Sequence, residues 1–148
     1  MKNVIKALAL LALVMICFSC DLFAKADEEL IKTRISAFQS TLNAGGYTNT
    51  TLNAHFHEDM VSYNAYLDSE IFTIGPLNPL NGPFTFGTPS LSASGDDYDI
   101  SGTYAAEGAG VDDGNYTAIM RQEGSDWKIL EMTIDVGSSV DYTIRTLK

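Results

Sequence analysis

Apolar residues follow a helical period in the first third of the chain and alternate with polar residues in the last third. In the early segment they recur at spacings of three and four residues, at Leu30, Ile31, Ile35, Phe38 and Leu42. This spacing is typical of one face of an α-helix. The acidic residues from Asp27 suit a first helical turn, and Gly45 suits a helix end. We therefore predict a helix over residues 27–43.

A second, shorter helix is predicted after the segment 49–51, where Asn and Thr side chains suit an N-cap. Apolar and histidine positions then continue at helical spacing, at Leu52, His55 and Phe56. This pattern predicts a helix that reaches about Glu58. Residues 60–63 are expected to be extended. A third short helix is indicated by Leu67, Ile71 and Ile74.

Strand signals dominate from Leu91 onward. All four prolines of the chain lie in residues 75–89, which predicts a structured loop or a broken edge strand around Phe84 and Phe86. Residues 97–106 alternate between apolar and polar side chains, as in a half-buried strand. Residues 115–122 and 127–136 flank a polar turn and predict a β-hairpin. A last strand is predicted from Val140, Tyr142 and Ile144.

The second hairpin strand changes phase within its length. Trp127 and Ile129 share one phase, and the next apolar positions share the other, at Leu130, Met132, Ile134 and Val136. Such a change predicts a β-bulge near Ile129 or a strand that is covered on both faces. Trp127 is the only tryptophan of the chain, and we expect it to be buried against the first helix near Ile35 and Phe38.

Helices followed by strands predict an α+β fold, with N-terminal helices packed on a curved antiparallel β-sheet. Two motifs carry a family resemblance: Leu52-Asn-Ala-His-Phe-His-Glu-Asp59 after a long helix, and a hairpin that ends in Trp127-Lys-Ile129. Over residues 27–136 the chain resembles the NTF2-like (SnoaL or cystatin-like cone) superfamily. The resemblance implies a conical pocket between helices and sheet. Because this fold hosts enzymes and non-enzymes, it implies little about activity.

The first 20 residues have the features of an export signal. Lys2 and Lys6 precede an unbroken apolar run over residues 7–18, which is shorter than a membrane-spanning helix requires. Ser19-Cys20 at its end resembles the lipobox of bacterial lipoproteins, with Cys20 as the lipidated residue. We therefore predict a signal peptide over 1–20, a tether over 21–26 and one domain over 27–148. Cleavage after Ala26 is the alternative, and it would release a soluble periplasmic or secreted protein.

Charge and cysteine content narrow the function. With Lys2 and Lys6 removed, 7 of the 9 bases remain against 19 acids, so the formal charge changes from −10 to −12. Such a surface disfavours nucleic-acid binding. Cys17 and Cys20 are the only cysteines, so the folded domain is expected to lack disulfides and thiol chemistry. The expected partners are a membrane, reached through the lipid anchor, and a small apolar ligand or an envelope protein.

Candidate catalytic groups are few. His55 and His57 are the only histidines, and residues two apart on a helix point in different directions, so we expect no metal site and no cofactor. One half-buried and one solvated histidine are expected instead. His55 and Asp59 are the candidates for a catalytic base. Asp59 matches an aspartate of the resembled family. In isomerase-like members of that family the base lies five residues after this aspartate, and Asn64 occupies that position here.

Aromatic hydroxyl groups are the remaining pocket candidates. We expect the cone to be lined by Tyr63, Asn64, Tyr66, Tyr98, Tyr104 and Tyr116. A non-catalytic envelope protein that binds a small ligand or a partner is therefore the first hypothesis for function. A pocket enzyme of the isomerase, cyclase or dehydratase type, using His55 or Asp59, is the second. A structural envelope lipoprotein with a filled cone is the third.

Overall fold

The first helix, α1, presents a narrow apolar stripe to the rest of the protein. The computed structural model describes residues 25–61, 72, 75–108, 113–137 and 142–145, and residues 25–44 are helical. The stripe is buried and consists of Ile31, Ile35, Phe38 and Leu42. Leu30 was expected on this face but is 45% exposed, because it lies one residue, or about 100°, to the side of the stripe. Lys25 and Ala26, predicted as tether, already belong to the helix.

The second helix, α2, is shorter than predicted and spans Asn49–Asn53. Thr48 caps it, since its hydroxyl accepts the N–H of Thr51 and the Thr51 hydroxyl accepts the N–H of Thr48. The chain then becomes extended. The Ile129 N–H donates to the His55 carbonyl and the His57 N–H to the Ile129 carbonyl, both at 2.9 Å. This pairing with a distant strand replaces the helical hydrogen bonds that were expected up to about Glu58.

A third helix, α3, follows at Glu58–Val61. The prediction of an extended segment at 60–63 is therefore wrong for its first two residues. The predicted helix around Leu67, Ile71 and Ile74 lies outside the described residues, apart from Phe72, which is helical and buried.

Six strands of the described chain form one antiparallel sheet, which confirms the α+β class. They are β1 (Phe84–Phe86), β2 (Ser90–Ser94), β3 (Asp97–Ala106), β4 (Gly114–Glu123), β5 (Asp126–Asp135) and β6 (Tyr142–Arg145). The order is β1-β3-β4-β5-β6, and β2 pairs with the same strand as β1, along the other half of β3. These strands confirm three predictions: the strand around Phe84 and Phe86, the long strand β3, and the hairpin formed by β4 and β5.

The predicted β-bulge is present in β5. Ile119 pairs with Glu131 and Met120 pairs with Ile129, so Leu130 is the extra residue between them. The bulge returns the apolar side chains to one face on both sides of the phase change, and Trp127, Ile129, Met132 and Ile134 are all buried. The local pattern of the sequence was sufficient for this prediction, because a bulge shifts the alternation of apolar and polar residues by one position within the strand itself.

The free edge of β5 is covered by three different elements. β6 pairs with residues 131–134, the segment around Phe56 pairs with Ile129, and Arg34 Nε of α1 donates to the Trp127 carbonyl at 3.0 Å. Arg34 also binds Asp126 at 2.9 Å. These contacts satisfy backbone groups that an edge strand would otherwise expose.

Aromatic rings fill the space between α1 and the sheet. Phe38 contacts Phe56 and Phe86 at centroid distances of 5.6 and 5.7 Å, and Phe86 contacts Tyr104 and Tyr116 at 5.5 and 5.2 Å. Most of these pairs are edge-to-face, which is a favoured arrangement. Two side-chain amides tie the helix to β1: Gln39 accepts the Phe86 N–H, and Asn43 accepts the Phe84 N–H.

Candidate functional site

The described pocket tyrosines serve the core. Tyr104 and Tyr116 are both 1% exposed, and their hydroxyls donate to the carbonyls of Pro76 and Gly87. Burial raises the pKa of Tyr116 to about 12 and raises that of Tyr104 further still. Tyr98 is half-buried and packs edge-to-face on Trp127 at 5.1 Å. Tyr63, Asn64, Tyr66 and Cys20 lie outside the described residues.

His55 is a neutral core side chain. It is 6% exposed, and its Nε2 lies 2.7 Å from the Thr41 hydroxyl, which itself donates to the Ala37 carbonyl. The proton of the neutral ring therefore lies on Nε2, and Nδ1 is buried with no hydrogen-bond partner in the described part of the chain. Burial, together with the positive charges of Arg34 and Lys128, lowers the pKa of His55 to about 4.

His57 and Asp59 belong to a different environment. His57 is also buried, at 7% exposure, so the expectation of one solvated histidine is wrong. Its Nδ1 accepts the Asp59 N–H at 3.2 Å, and the 60% exposed carboxylate of Asp59 lies 3.7 Å from Arg121. His55 and Asp59 therefore face different partners. Within the described ranges, no group of three or more His, Cys, Asp or Glu side chains is placed to hold a metal ion.

A groove of about 410 Å³ opens on the outer face of the sheet, opposite α1. Its position follows from strand alternation, because Asp99, Ser101 and Thr117 are exposed whereas their neighbours Ile100 and Ala118 are buried. The outward side chains that line it come from four strands: Ser90, Ser92, Asp99, Ser101, Thr117, Ile119 and Glu131.

One row of hydroxyl side chains crosses this face. We call it the hydroxyl row, and it contains one residue from each of the strands β2 to β6: Ser90, Ser101, Thr117, Thr133 and Thr143. Strand register places them directly opposite one another in sequence, Ser90 to Ser101, Ser101 to Thr117, Thr117 to Thr133 and Thr133 to Thr143. The last two hydroxyls are 2.9 Å apart and hydrogen-bonded.

A second row of outward side chains runs beside the first. Ile119 lies between Asp99 on β3 and Glu131 on β5, and each of these residues is its register partner. An apolar side chain thus separates two carboxylates, next to the hydroxyl row. Among the side chains that line the groove there are two acids and no base.

A wider cleft lies at the end of the same sheet, beside Tyr98 and Trp127, with a volume of about 720 Å³. Its principal charges already have partners in the fold. Arg121 holds Asp97 through two hydrogen bonds of 2.6 and 2.8 Å, and these bonds lower the pKa of Asp97. Asp27 accepts the Trp127 indole N–H at 3.1 Å. These charged side chains of the cleft therefore stabilise the fold.

Sequence reasoning missed the groove. Its only local signal was that Ser and Thr occupy the polar phase of several predicted strands. Comparison with known proteins adds nothing to it, because no family model, no curated protein and no solved structure matches the chain. In addition, none of the helices among the described residues has the length and apolar character needed to cross a membrane.

Proposed function

We propose that this chain is a non-catalytic binding protein of the bacterial cell envelope and that the outer-face groove is its binding surface. The observation that carries the proposal is the hydroxyl row, of which Ser90, Ser101 and Thr117 line the groove while Thr133 and Thr143 continue the row beyond it. Ser101 and Thr117 are exposed and make no hydrogen bond to another described side chain, so their hydroxyls are available to a ligand. They stand on strands of ten residues, which hold them rigidly.

The pocket-enzyme alternative has less support. It requires His55 or Asp59 to act as a base beside a bound substrate. His55 is neutral, buried and bonded to Thr41, whereas Asp59 is exposed and lies beside Arg121 and His57. Each group thus has a structural role, and the two do not converge on one site.

We also propose that the fold is the NTF2-like cone, for which the helices packed on one face of an antiparallel sheet are support. Its described interior is filled by the aromatic side chains of Phe86, Tyr104 and Tyr116. We therefore assign the binding role to the outer face of the sheet. The same filling favours a second candidate, a structural envelope lipoprotein. The two candidates differ in whether the groove takes a ligand.

For location, we propose export and anchoring through Cys20, with the folded domain held by a short tether. The support is the cysteine at the end of a short apolar run. Expressed in a bacterium, the chain should partition into the detergent phase, because diacyl modification supplies two acyl chains. Cys20→Ala should move it to the aqueous phase. If the wild-type chain is aqueous and begins at Asp27, the cleavage after Ala26 replaces this proposal.

The binding role is tested by native mass spectrometry of the full chain in detergent, after incubation with a bacterial envelope extract. We expect a small molecule to remain bound and to leave unchanged. Thr117→Val removes one hydroxyl from the groove but keeps a β-branched side chain, so it should reduce the bound fraction without unfolding the sheet. Thr85→Val is the matched control, since Thr85 is an exposed threonine on β1, outside the hydroxyl row.

Two results would contradict the binding role. One is the absence of any retained mass, which would favour the structural lipoprotein. The other is equal retention by wild type, Thr117→Val and Thr85→Val, which would place the ligand elsewhere on the protein.

A further inference from the structure

We infer that the groove binds a neutral oligosaccharide chain, which lies across the strands along the hydroxyl row. This inference rests on the binding role proposed above and names its ligand class. Four features carry it: the spacing of the row, the hydrogen-bonding character of its groups, the charge of the groove and the position of its apolar side chain.

The spacing of the row suits an extended ligand with a repeated polar pattern. Neighbouring strands lie about 4.8 Å apart, so five aligned positions span about 19 Å. Register places one hydroxyl on each strand from Ser90 to Thr143. A glycan presents hydroxyls on every ring, so its polar pattern repeats once per sugar unit. Ser90, Ser101 and Thr117 line the groove whereas Thr133 and Thr143 lie beyond it, so a compact ligand held in the groove would contact at most three of the five positions.

The hydrogen-bonding groups are those that recognise sugars. A Ser or Thr hydroxyl both donates and accepts, as each sugar hydroxyl does. Asp99 and Glu131 supply carboxylate oxygens, which accept short, charge-assisted hydrogen bonds from hydroxyl donors. Ile119 lies between the two acids and offers an apolar surface to the C–H face of a ring. The groove thus pairs polar edges with an apolar centre.

Charge separates a neutral glycan from other polymers. The groove lining contains two acids and no base, and the whole chain carries a formal charge of −10. Phosphorylated, sulfated and uronic-acid polymers would be repelled. A peptide partner would instead add to a sheet edge, where unpaired backbone groups are exposed. The hydroxyl row instead presents side chains on the face of the sheet.

The inference is tested by titrating the isotope-labelled full chain, in detergent, with the fully N-acetylated and therefore neutral form of chitohexaose and observing amide resonances; chitobiose below is N-acetylated in the same way. We expect the largest shifts at Ser101, Thr117 and Ile119. Chitobiose should bind at least about ten-fold more weakly, since it covers fewer positions of the row. Thr117→Val should raise the Kd for chitohexaose about two- to ten-fold, as expected for one uncharged hydrogen bond. Thr85→Val should leave it unchanged.

Charge is tested with two further probes in the same titration. A hexamer of galacturonic acid should bind at least about ten-fold more weakly than two neutral hexamers, chitohexaose and maltohexaose, because its carboxylates are repelled by the acids of the groove. Spermidine tests whether the acids alone determine binding, and we expect Thr117→Val to leave its Kd unchanged. Equal affinity for the anionic hexamer, or an equal Kd for wild type and Thr117→Val, would overturn the inference.

The inference and the proposed function fail in different ways. If neither neutral hexamer binds while envelope extract still yields a retained molecule that Thr117→Val reduces, the ligand class is wrong and the binding role stands. If neither hexamer binds and nothing is retained from extract, both are wrong. Binding of chitohexaose or maltohexaose that is weakened by Thr117→Val supports both.

Discussion

Trp127→Ala is expected to lower the free energy of unfolding by about 3–5 kcal/mol, as measured by urea denaturation. The reason is the density of contacts around this side chain. Trp127 is 5% exposed, its indole N–H donates to Asp27 at 3.1 Å, and its ring packs edge-to-face on Tyr98 at 5.1 Å. Alanine would leave a cavity between α1 and β5. Because domains of this size are stable by only about 5–15 kcal/mol, the melting temperature should fall sharply.

A conservative variant separates the ring from its hydrogen bond. Trp127→Phe keeps most of the apolar contact and loses the indole N–H, so it should cost less, about 1–2 kcal/mol. Lys128→Ala, at the next position of the same strand, removes an ion pair with Glu123 that lies near the surface, and it should cost about 1 kcal/mol or less. An unchanged melting temperature for Trp127→Ala would show that α1 is held by other residues.

The position of Trp127 in the fold illustrates what the sequence could predict. Burial of a lone tryptophan at the start of a strand was expected, and it is confirmed. Its expected neighbours Ile35 and Phe38 lie in the same buried cluster, and its hydrogen bonds to α1 are made with Asp27 and Arg34, in the N-terminal half of that helix. The helix and the strand were each evident from local patterns. The position at which one lies along the other depends on contacts between residues about 100 positions apart.

The end of α2 shows the same limit. Leu52, His55 and Phe56 have helical spacing, and the sequence between them contains no helix breaker. The helix nevertheless ends at Asn53, because the backbone around Phe56 pairs with Ile129. A residue 73 positions away thus determines a local boundary. By contrast, the bulge at Leu130 was predictable, since both phases of β5 are contained in ten residues.

The groove was beyond sequence reasoning for a related reason. Each strand shows only that a serine or threonine occupies its polar phase. Whether Ser101, Thr117 and Thr133 stand opposite one another depends on the register of three strands, and the bulge in β5 changes that register by one residue. For the tyrosines, the face of the sheet was predictable but the partners of their hydroxyl groups were not. Alternation placed Tyr104 and Tyr116 on the inner face, but it did not reveal that their hydroxyls bind the carbonyls of Pro76 and Gly87.

Acid should destabilise the fold through His55 before it affects the paired carboxylates. The pKa of His55 is about 4 in the folded protein and about 6.5 when unfolded, so the unfolded chain binds more protons between these values. Stability from the neutral ring is therefore complete above pH 6.5 and is lost as the pH falls toward 4, on the order of 3 kcal/mol in total. Asp97 and Glu123, whose pKa values are lowered by Arg121 and Lys128, lose their contribution at lower pH.

The measurement is the free energy of unfolding at pH 7.5 and at pH 4.5, for wild type and two variants. His55→Gln retains a donor for the Thr41 hydroxyl and has no titrating group, so its stability should change much less between the two pH values. His57→Gln, a change at the other buried histidine, should keep most of the wild-type loss. A wild-type loss that survives in His55→Gln and disappears in His57→Gln would assign the acid sensitivity to His57. The ring with its proton on Nε2 and a bare Nδ1 at neutral pH should also be visible in its ¹⁵N chemical shifts, and a doubly protonated ring at pH 6 would contradict the burial argument.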